Sequence, residues 1–453
     1  MLAQLLNRDF LLESAERLRT GIEREATLQN LGEPDSVARA AQTTAGVNEL
    51  KEAGEILQTV IARESQTQGA PEDDTAFFPR DAVMSLVQSA LLDYYETHKS
   101  ELIVHAGEAR AGREEEIAVT DRELKDLPPT GDAARGLLNK FSQTDIGWAS
   151  SLVAKGVRAF RKRREFNPQP APPVTISNRA SVALVGDWGT GLPRARKVGA
   201  AIRAKLQEAE AQNRDCHLIH LGDVYYSGWQ REYEKHFLPH WPVKPGEEDK
   251  TTSWSLNANH DMYSGGHAYY DFLLRDPRFA RQAQSSFFSI ENDHWLILGL
   301  DTGYEEHDLA GGQGVWLGQR LTAAPGKKGV LLSHHQMFSA YERGGEKLEQ
   351  KLQPALDADR IRAWFWGHEH RCAIYEPQRK VQYGRCIGHG GVPVYASSGS
   401  LPAGVSYEYQ GALEKGFESW ALFGFAMLDF DDGRIHARYI NENGEEHFSE
   451  TLE

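Results

Sequence analysis

Six side chains in the second half of the chain have the chemistry of metal ligands: Asp187, Asp223, Asn259, His334, His368 and His370. They come from five short motifs, Gly186-Asp187-Trp188-Gly189, Gly222-Asp223-Val224-Tyr225-Tyr226, Ala258-Asn259-His260-Asp261, Leu332-Ser333-His334-His335 and Gly367-His368-Glu369-His370. Each is read as following an apolar strand that ends in a turn, and open α/β sheets collect ligands at such strand ends. A single Gly-Asp after a strand is usually only a turn. Five such motifs in one order are a stronger signal. Oxygen and imidazole donors suit Zn, Fe or Mn, and the absence of thiolates among them argues against a structural zinc site. One carboxylate can share its two oxygens between two cations, so Asp223 is expected to bridge a two-metal hydrolytic site. His368 and His370 point the same way on an extended strand but can address two ions where the chain turns.

The elements that must position these groups begin after a Pro-rich stretch. Residues 181–185 and 217–221 read as apolar strands, joined by a helix with Val198, Ile202 and Leu206 on one face. The equal steps from Asp187 to Asp223 and from Asp223 to Asn259 each leave room for one strand–helix–strand crossover. Further strands are expected at 295–300, 329–332, 361–366, 392–396 and 423–430, the last entering a hairpin through Asp431-Asp432-Gly433. Alternating strands and helices with a late hairpin predict an α/β domain with added antiparallel strands, an α+β character.

Residues 1–166 read instead as a helical accessory domain. Leu11, Ala15, Leu18 and Ile22 recur at helical spacing, as do Leu50, Ala53, Leu57 and Ile61, and Val83, Leu86, Ala90 and Leu91. No catalytic constellation is visible in it, and its expected role is to mediate an oligomer or a protein partner. Trp148, Leu152, Val153, Val157 and Phe160 form a stripe flanked by basic residues. A helix over 148–164 could touch a membrane surface, but packing on its own protein is favoured. The Pro-rich segment 167–177 is expected to be a stiff linker, leaving 178–453 as the catalytic domain.

Composition narrows the class. The chain has 453 residues and a net charge of −15, which disfavours nucleic acid as a partner. Cys216, Cys372 and Cys386 are too few and too scattered for a disulfide framework. No apolar run is long enough to span a membrane, and the first residues lack a signal-peptide pattern. A cytoplasmic location is therefore expected.

The order of these motifs resembles the calcineurin-like metallophosphoesterase superfamily, and within it the purple acid phosphatase-like branch. The resemblance covers about residues 178–445. Many members carry Asp-x-His as the first motif. Here Gly189 stands at the histidine position, as in the purple branch, which supplies a tyrosine through Gly-Asp-x-x-Tyr, at Tyr226 in this sequence. The resemblance implies a four-layer αββα sandwich. It also implies one ion held by Asp187, Asp223, Tyr226 and His370, and a second by Asp223, Asn259, His334 and His368. His260 matches the family's catalytic histidine.

The expected activity is hydrolysis of a small phosphate ester by attack of a metal-bound hydroxide, with a pair of ions drawn from Fe, Zn and Mn. Two cations about 3.5–4 Å apart polarise a phosphoryl oxygen and ionise a water. His260 would protonate the leaving group, with Asp261 orienting it. The alternatives are a phosphodiesterase acting on cyclic nucleotides or nucleic acid, and a scaffold with a vestigial metal site. Secondary candidates are His335 behind the ligands, His267 in a loop, His389 lining the cleft, Trp188 walling it, Glu369 orienting a ligand, and Asp301-Thr302 as a structural hydrogen-bonding pair.

Overall fold

The computed structural model describes residues 11–16, 18–20, 23, 54–62, 81–92, 162–392, 400–412 and 419–453. The chain divides into two compact units, Met1–Lys162 and Arg163–Glu453. In the first unit, 11–16, 18–20, 54–62 and 82–92 are helical. Leu11, Ala15, Leu18, Leu57, Leu86, Ala90 and Leu91 are buried, as their spacing predicts. Asp81 caps the last of these helices by accepting from the amides of Val83 and Met84. The basic stripe lies outside the described residues. So does the strand expected at 392–396, apart from Val392. Among the described residues no helix is long and apolar enough to cross a membrane.

The second unit is built on two sheets. One has six strands in the order β16-β15-β14-β2-β3-β4. Its members are β2 (Ala180–Val185), β3 (Asp215–His220), β4 (Thr251–Ser255), β14 (Gly424–Asp431), β15 (Arg434–Asn441) and β16 (Glu446–Leu452). The other has eight, in the order β1-β5-β6-β7-β8-β10-β9-β11. These are β1 (Val174–Thr175), β5 (Phe288–Glu291), β6 (Trp295–Gly299), β7 (Lys328–Ser333), β8 (Ile361–Trp366), β9 (Cys372–Tyr375), β10 (Tyr383–Ile387) and β11 (Val405–Glu408). A small hairpin joins β12 (Gln410–Ala412) to β13 (Ser419–Ala421).

The period of two along a strand explains the layers. Val182 and Leu184 of β2, Ile219 of β3 and Trp254 of β4 face Ile297, Val330, Leu332, Ala363 and Phe365 of the other sheet, and together they form the core between the sheets. The alternate residues Ala183 and Val185 face outward onto Val198, Ile202 and Leu206 of helix α1 (Pro193–Ala211). Leu331, Trp364 and Trp366 likewise meet helices α2 (Gln313–Ala323) and α3 (Glu346–Asp357). Strands buried on both faces read as continuous apolar runs, which is why β2, β3, β6, β7 and β8 were legible. The result is a four-layer αββα sandwich.

The segment expected to be a linker is part of this body. The Ala171 side chain lies in the core, its amide donates to the Phe287 carbonyl at 3.1 Å, and Phe166 stacks on Phe287. Proline sets the segment's extended backbone, but apolar contacts on either side tie it down.

Among the described residues one cross-sheet ion pair stands out. Arg385 on β10 makes two 2.6 Å hydrogen bonds to Glu450 on β16, with side-chain exposures of 4% and 16%. The Arg385 guanidinium also donates to the carbonyls of Tyr375 and Gly384, and Tyr439 donates to Glu450. Glu450→Ala would leave that guanidinium buried without its counter-charge. The expected loss is about 3–5 kcal/mol. Urea unfolding monitored by tryptophan fluorescence checks it, and a loss below about 1 kcal/mol would show that the pair is solvated.

Candidate metal centre

The parallel strands β2, β3 and β4 deliver Asp187, Asp223 and Asn259 from their C-terminal ends, while β7 and β8 deliver His334, His368 and His370 from the opposing sheet. Asp187, Asp223, His368 and His370 all have positive φ, at 56°, 75°, 69° and 53°. Such backbone is uncommon for residues other than glycine and costs free energy. It persists where surrounding contacts fix it, typically at functional sites. Here it swings each side chain back over the strand ends. Gly222, at φ 107°, is required in the same turn, since a Cβ there would lie 2.8 Å from Nδ1 of His334. A Cβ on Gly367 would lie 2.7 Å from Oδ2 of Asp187.

Asp223 stands between two sets of donors. Donor atoms of Asp187, Asp223 and His370 lie within 4.8 Å of one another, and so do those of Asp223, His334 and His368. On one side, Oδ1 of Asp187 is 3.4 Å from Nε2 of His370. On the other, Oδ2 of Asp223 is 3.4 Å from Nε2 of His334, which is 3.2 Å from Nδ1 of His368. Nδ1 of His334 is held by the Leu221 carbonyl at 3.0 Å, so its Nε2 is directed at the centre. His368 and His370 therefore address different donor sets because the chain turns between them.

The electrostatics of the site agree with this crowding. Burial opposes charge on His334, but Asp223 and Asp187 overcome it and raise its pKa to about 9. Burial would raise the Asp223 carboxyl, yet His334 and His260 hold it well below the usual range.

Asn259 tests whether the site suits cations. Its amide nitrogen donates to Tyr263 at 2.8 Å, but its Oδ1 is buried with no hydrogen-bond partner. The next residue's amide, that of His260, donates to Oδ1 of Asp223 at 3.1 Å, so this orphaned oxygen sits on the turn that meets the carboxylate cluster; leaving it unmet costs about 1–3 kcal/mol, which a cation would relieve. The residues present fit a pair of cations.

Two expectations are corrected here. The tyrosine among the donors is Tyr225, not Tyr226. The Tyr225 hydroxyl lies 3.0 Å from Oδ1 of Asp187, 2.9 Å from Oδ2 of Asp223 and 3.0 Å from Nε2 of His370. The backbone decides this. Val224 bridges to Gly189 and the Tyr225 amide donates to the Gly189 carbonyl, which pins that residue beside the Asp187 loop. The Tyr226 amide donates to Glu232 at 2.6 Å. The buried Glu232 also accepts from the amides of Ser227 and Trp229, so it holds the whole turn; counting along the motif could not find it.

The second correction concerns Asp261. It accepts from the Asp223 amide at 3.2 Å and from the Tyr233 hydroxyl, so it braces Asp223. His260 is oriented instead by the Tyr226 carbonyl, 2.6 Å from Nδ1. Its ring lies between Tyr225 and Tyr263, and its Nε2 is 3.9 Å from Oδ2 of Asp223.

The secondary candidates fall into place. His335 packs against His334 and His368 with Nδ1 on Thr302. Glu369 is buried and bonds Tyr375, and burial raises its pKa to about 7. Asp301 accepts from Asn257, Gly303, Tyr304 and Tyr270, a structural role. His267 is exposed and paired with Asp271. Trp188 does not wall the site; its indole donates to the Ala195 carbonyl and packs on Phe237 and Trp241 in the helical-side core. His389 sits apart, beside Cys372 and His447. Glu342, 3.5 Å from Nε2 of His368, carried no sequence signal.

Residues 180–372 match the model of the calcineurin-like phosphoesterase family, a span that contains every one of the six donors. That span is similar to calcineurin-like phosphoesterases. The chain is similar to tartrate-resistant acid phosphatase type 5 of Oryctolagus cuniculus, 25% identical over 300 residues, which cover 59% of this chain and 89% of that protein. Among solved structures it is similar to the GAP50 anchor in the inner membrane complex of Plasmodium, at 12% identity and TM-score 0.47, covering 60% of this chain and 88% of that one. A dimetal phosphatase from Danio rerio shares 12% identity at TM-score 0.42, covering 63% and 99%. The matched span is thus the part of the chain that carries the donors, and the family's dependence on metal accords with the orphaned oxygen of Asn259.

Proposed function

We propose that the protein is a two-cation phosphoesterase acting on a small phosphorylated substrate. The observation that carries this reading is the Asp223 carboxylate set between two donor groups, and the unmet, buried Oδ1 of Asn259 on the adjoining turn supports it. When bound, the cations supply Lewis acidity and an activated water. The rest falls to the chain. Asp187, Asp223, Tyr225 and His370 form one cradle, and Asp223, Asn259, His334 and His368 the other. His260 holds a proton at Nε2 for the leaving group, fixed in place through Nδ1 by the Tyr226 carbonyl. The similarity to an acid phosphatase supports hydrolysis of phosphate esters. The three free, buried cysteines support a cytoplasmic setting.

Turnover of an aryl phosphate tests the reading. Chelation should abolish activity, and added Fe, Zn or Mn should restore it. A metal-replete, folded protein without turnover would leave only a scaffold.

The tyrosine assignment has its own readout. Burial, with Asp187 and Asp223 close by, pushes the Tyr225 phenol well above its ordinary pKa, so it stays protonated until a cation displaces the proton. Loading with Fe(III) should therefore give a visible tyrosinate charge-transfer band. Tyr225→Phe should lose the band and Tyr226→Phe should keep it. A band that disappears only in the Tyr226 variant would reverse the assignment.

A further inference from the structure

Outside the dinuclear cluster, one thiol and two imidazoles converge from three separate parts of the chain. Cys372 opens β9, His389 follows β10 in Gly388-His389-Gly390-Gly391, and His447 lies on β16 of the other sheet. Donor atoms of the three lie within 4.8 Å of one another. His389 is fully buried, and neither of its ring nitrogens has a hydrogen-bond partner. A neutral imidazole always carries one donor and one acceptor, so this ring leaves both unmet. Nε2 of His447 is also buried and unbonded. Two imidazoles that each bring an orphaned nitrogen to one thiol are hard to reconcile with ordinary core packing, where each unmet buried polar group costs about 1–3 kcal/mol.

We infer that Cys372, His389 and His447 form a third cation site, for a borderline-soft divalent ion of the Zn²⁺ type, which ties the two sheets together. One thiolate with two imidazoles is a soft-to-borderline donor set, unlike the oxygen-rich dinuclear cradle. The surroundings suit the role. Tyr407 bonds Nδ1 of His447 at 3.0 Å, which orients the ring and leaves Nε2 for the ion. Tyr409 stacks on the same ring at 3.6 Å and covers it. Tetrahedral bonds of about 2.0–2.3 Å require donors about 3.3–3.8 Å apart, so the side chains close by about 1.5 Å at most. On binding, Cys372 gives its thiol proton to water and the thiolate takes its place. Because β9 and β10 belong to one sheet and β16 to the other, the ion joins the layers beside the Arg385–Glu450 pair. With three protein donors, a water would complete the tetrahedron, and the ion's role is to hold the two sheets together.

Cobalt(II) loading of the chelator-stripped full chain tests this. A thiolate bound to Co(II) gives a near-ultraviolet charge-transfer band, and the dinuclear donors include no sulfur, so the band reports this site even if the two-cation reading fails. Wild-type protein should show the band and bind one more equivalent of Co(II) than Cys372→Ser, which should lack the band. His389→Gln should weaken the band, and Zn²⁺ should raise the melting temperature of wild type more than that of Cys372→Ser. If Cys372→Ser does not fold, His447→Gln supplies the same comparison. A saturated wild-type protein without the band, or a folded Cys372→Ser that keeps it, overturns the inference.

Discussion

His260→Ala should lower turnover by about 10²–10⁴, the range for a positioned proton donor, while both cations of the dinuclear site stay bound. The ring is aimed at the cluster but is not the nearest donor to it. Its Nε2 lies 3.9 Å from Oδ2 of Asp223, whereas Nε2 of His334 approaches to 3.4 Å. Donation of Nδ1–H to the Tyr226 carbonyl means that a second proton must sit on Nε2, so the active form is the imidazolium. Burial lowers the His260 pKa, and Asp223 opposes that shift. The charged form is therefore populated towards acid pH and lost as pH rises, and turnover of alkyl phosphates should fall with it. Aryl phosphates, whose leaving groups need little protonation, should suffer less from the substitution and show a flatter profile. Metal analysis with paired aryl and alkyl kinetics decides. Loss of a cation in His260→Ala, or equal slowing of both substrates, would make the residue a ligand or a phosphate anchor.

Asp223→Asn should be more severe, because it strikes both cradles at once. The carboxylate faces Tyr225 and His334 through Oδ2, and Oδ1 accepts from the His260 amide at 3.1 Å. An amide cannot offer two anionic oxygens. Its NH₂ would point at a donor-rich side, and His334 would lose the partner chiefly responsible for raising its pKa. Losing one electrostatic contact to a transition state costs about 10²–10³ in rate, so losing the group shared by two cations should exceed about 10³. Both cations should be weakened together. Asn259→Ala, by contrast, removes one unshared oxygen and should release one cation and retain the other. Stoichiometry after dialysis separates the two. Retention of both cations at wild-type affinity in Asp223→Asn would mean that Asp223 is not the bridge.

The sequence by itself determined the donor chemistry and most of the strands that carry it. Strands such as β2, β3 and β8 are buried on both faces, so their apolar runs are local and continuous, and each runs into a turn bearing Asp or His. Donor chemistry is likewise a property of residue type. The edge strand β16, with the sequence Glu-His-Phe-Ser-Glu-Thr-Leu, was not legible, because a half-exposed strand needs no apolar run and owes its place to pairing with β15. Only the tertiary structure decided which of two adjacent buried tyrosines brings its hydroxyl to the carboxylates. The Gly189 carbonyl and the Glu232 carboxylate hold the two backbone amides there, and no spacing encodes their positions. The same holds for Asp261, whose partners are the Asp223 amide and Tyr233 rather than its neighbour His260. It holds most for Cys372, His389 and His447, which are unremarkable one by one. They become a donor set only because two sheets close on each other and shut out the water that would otherwise satisfy their nitrogens.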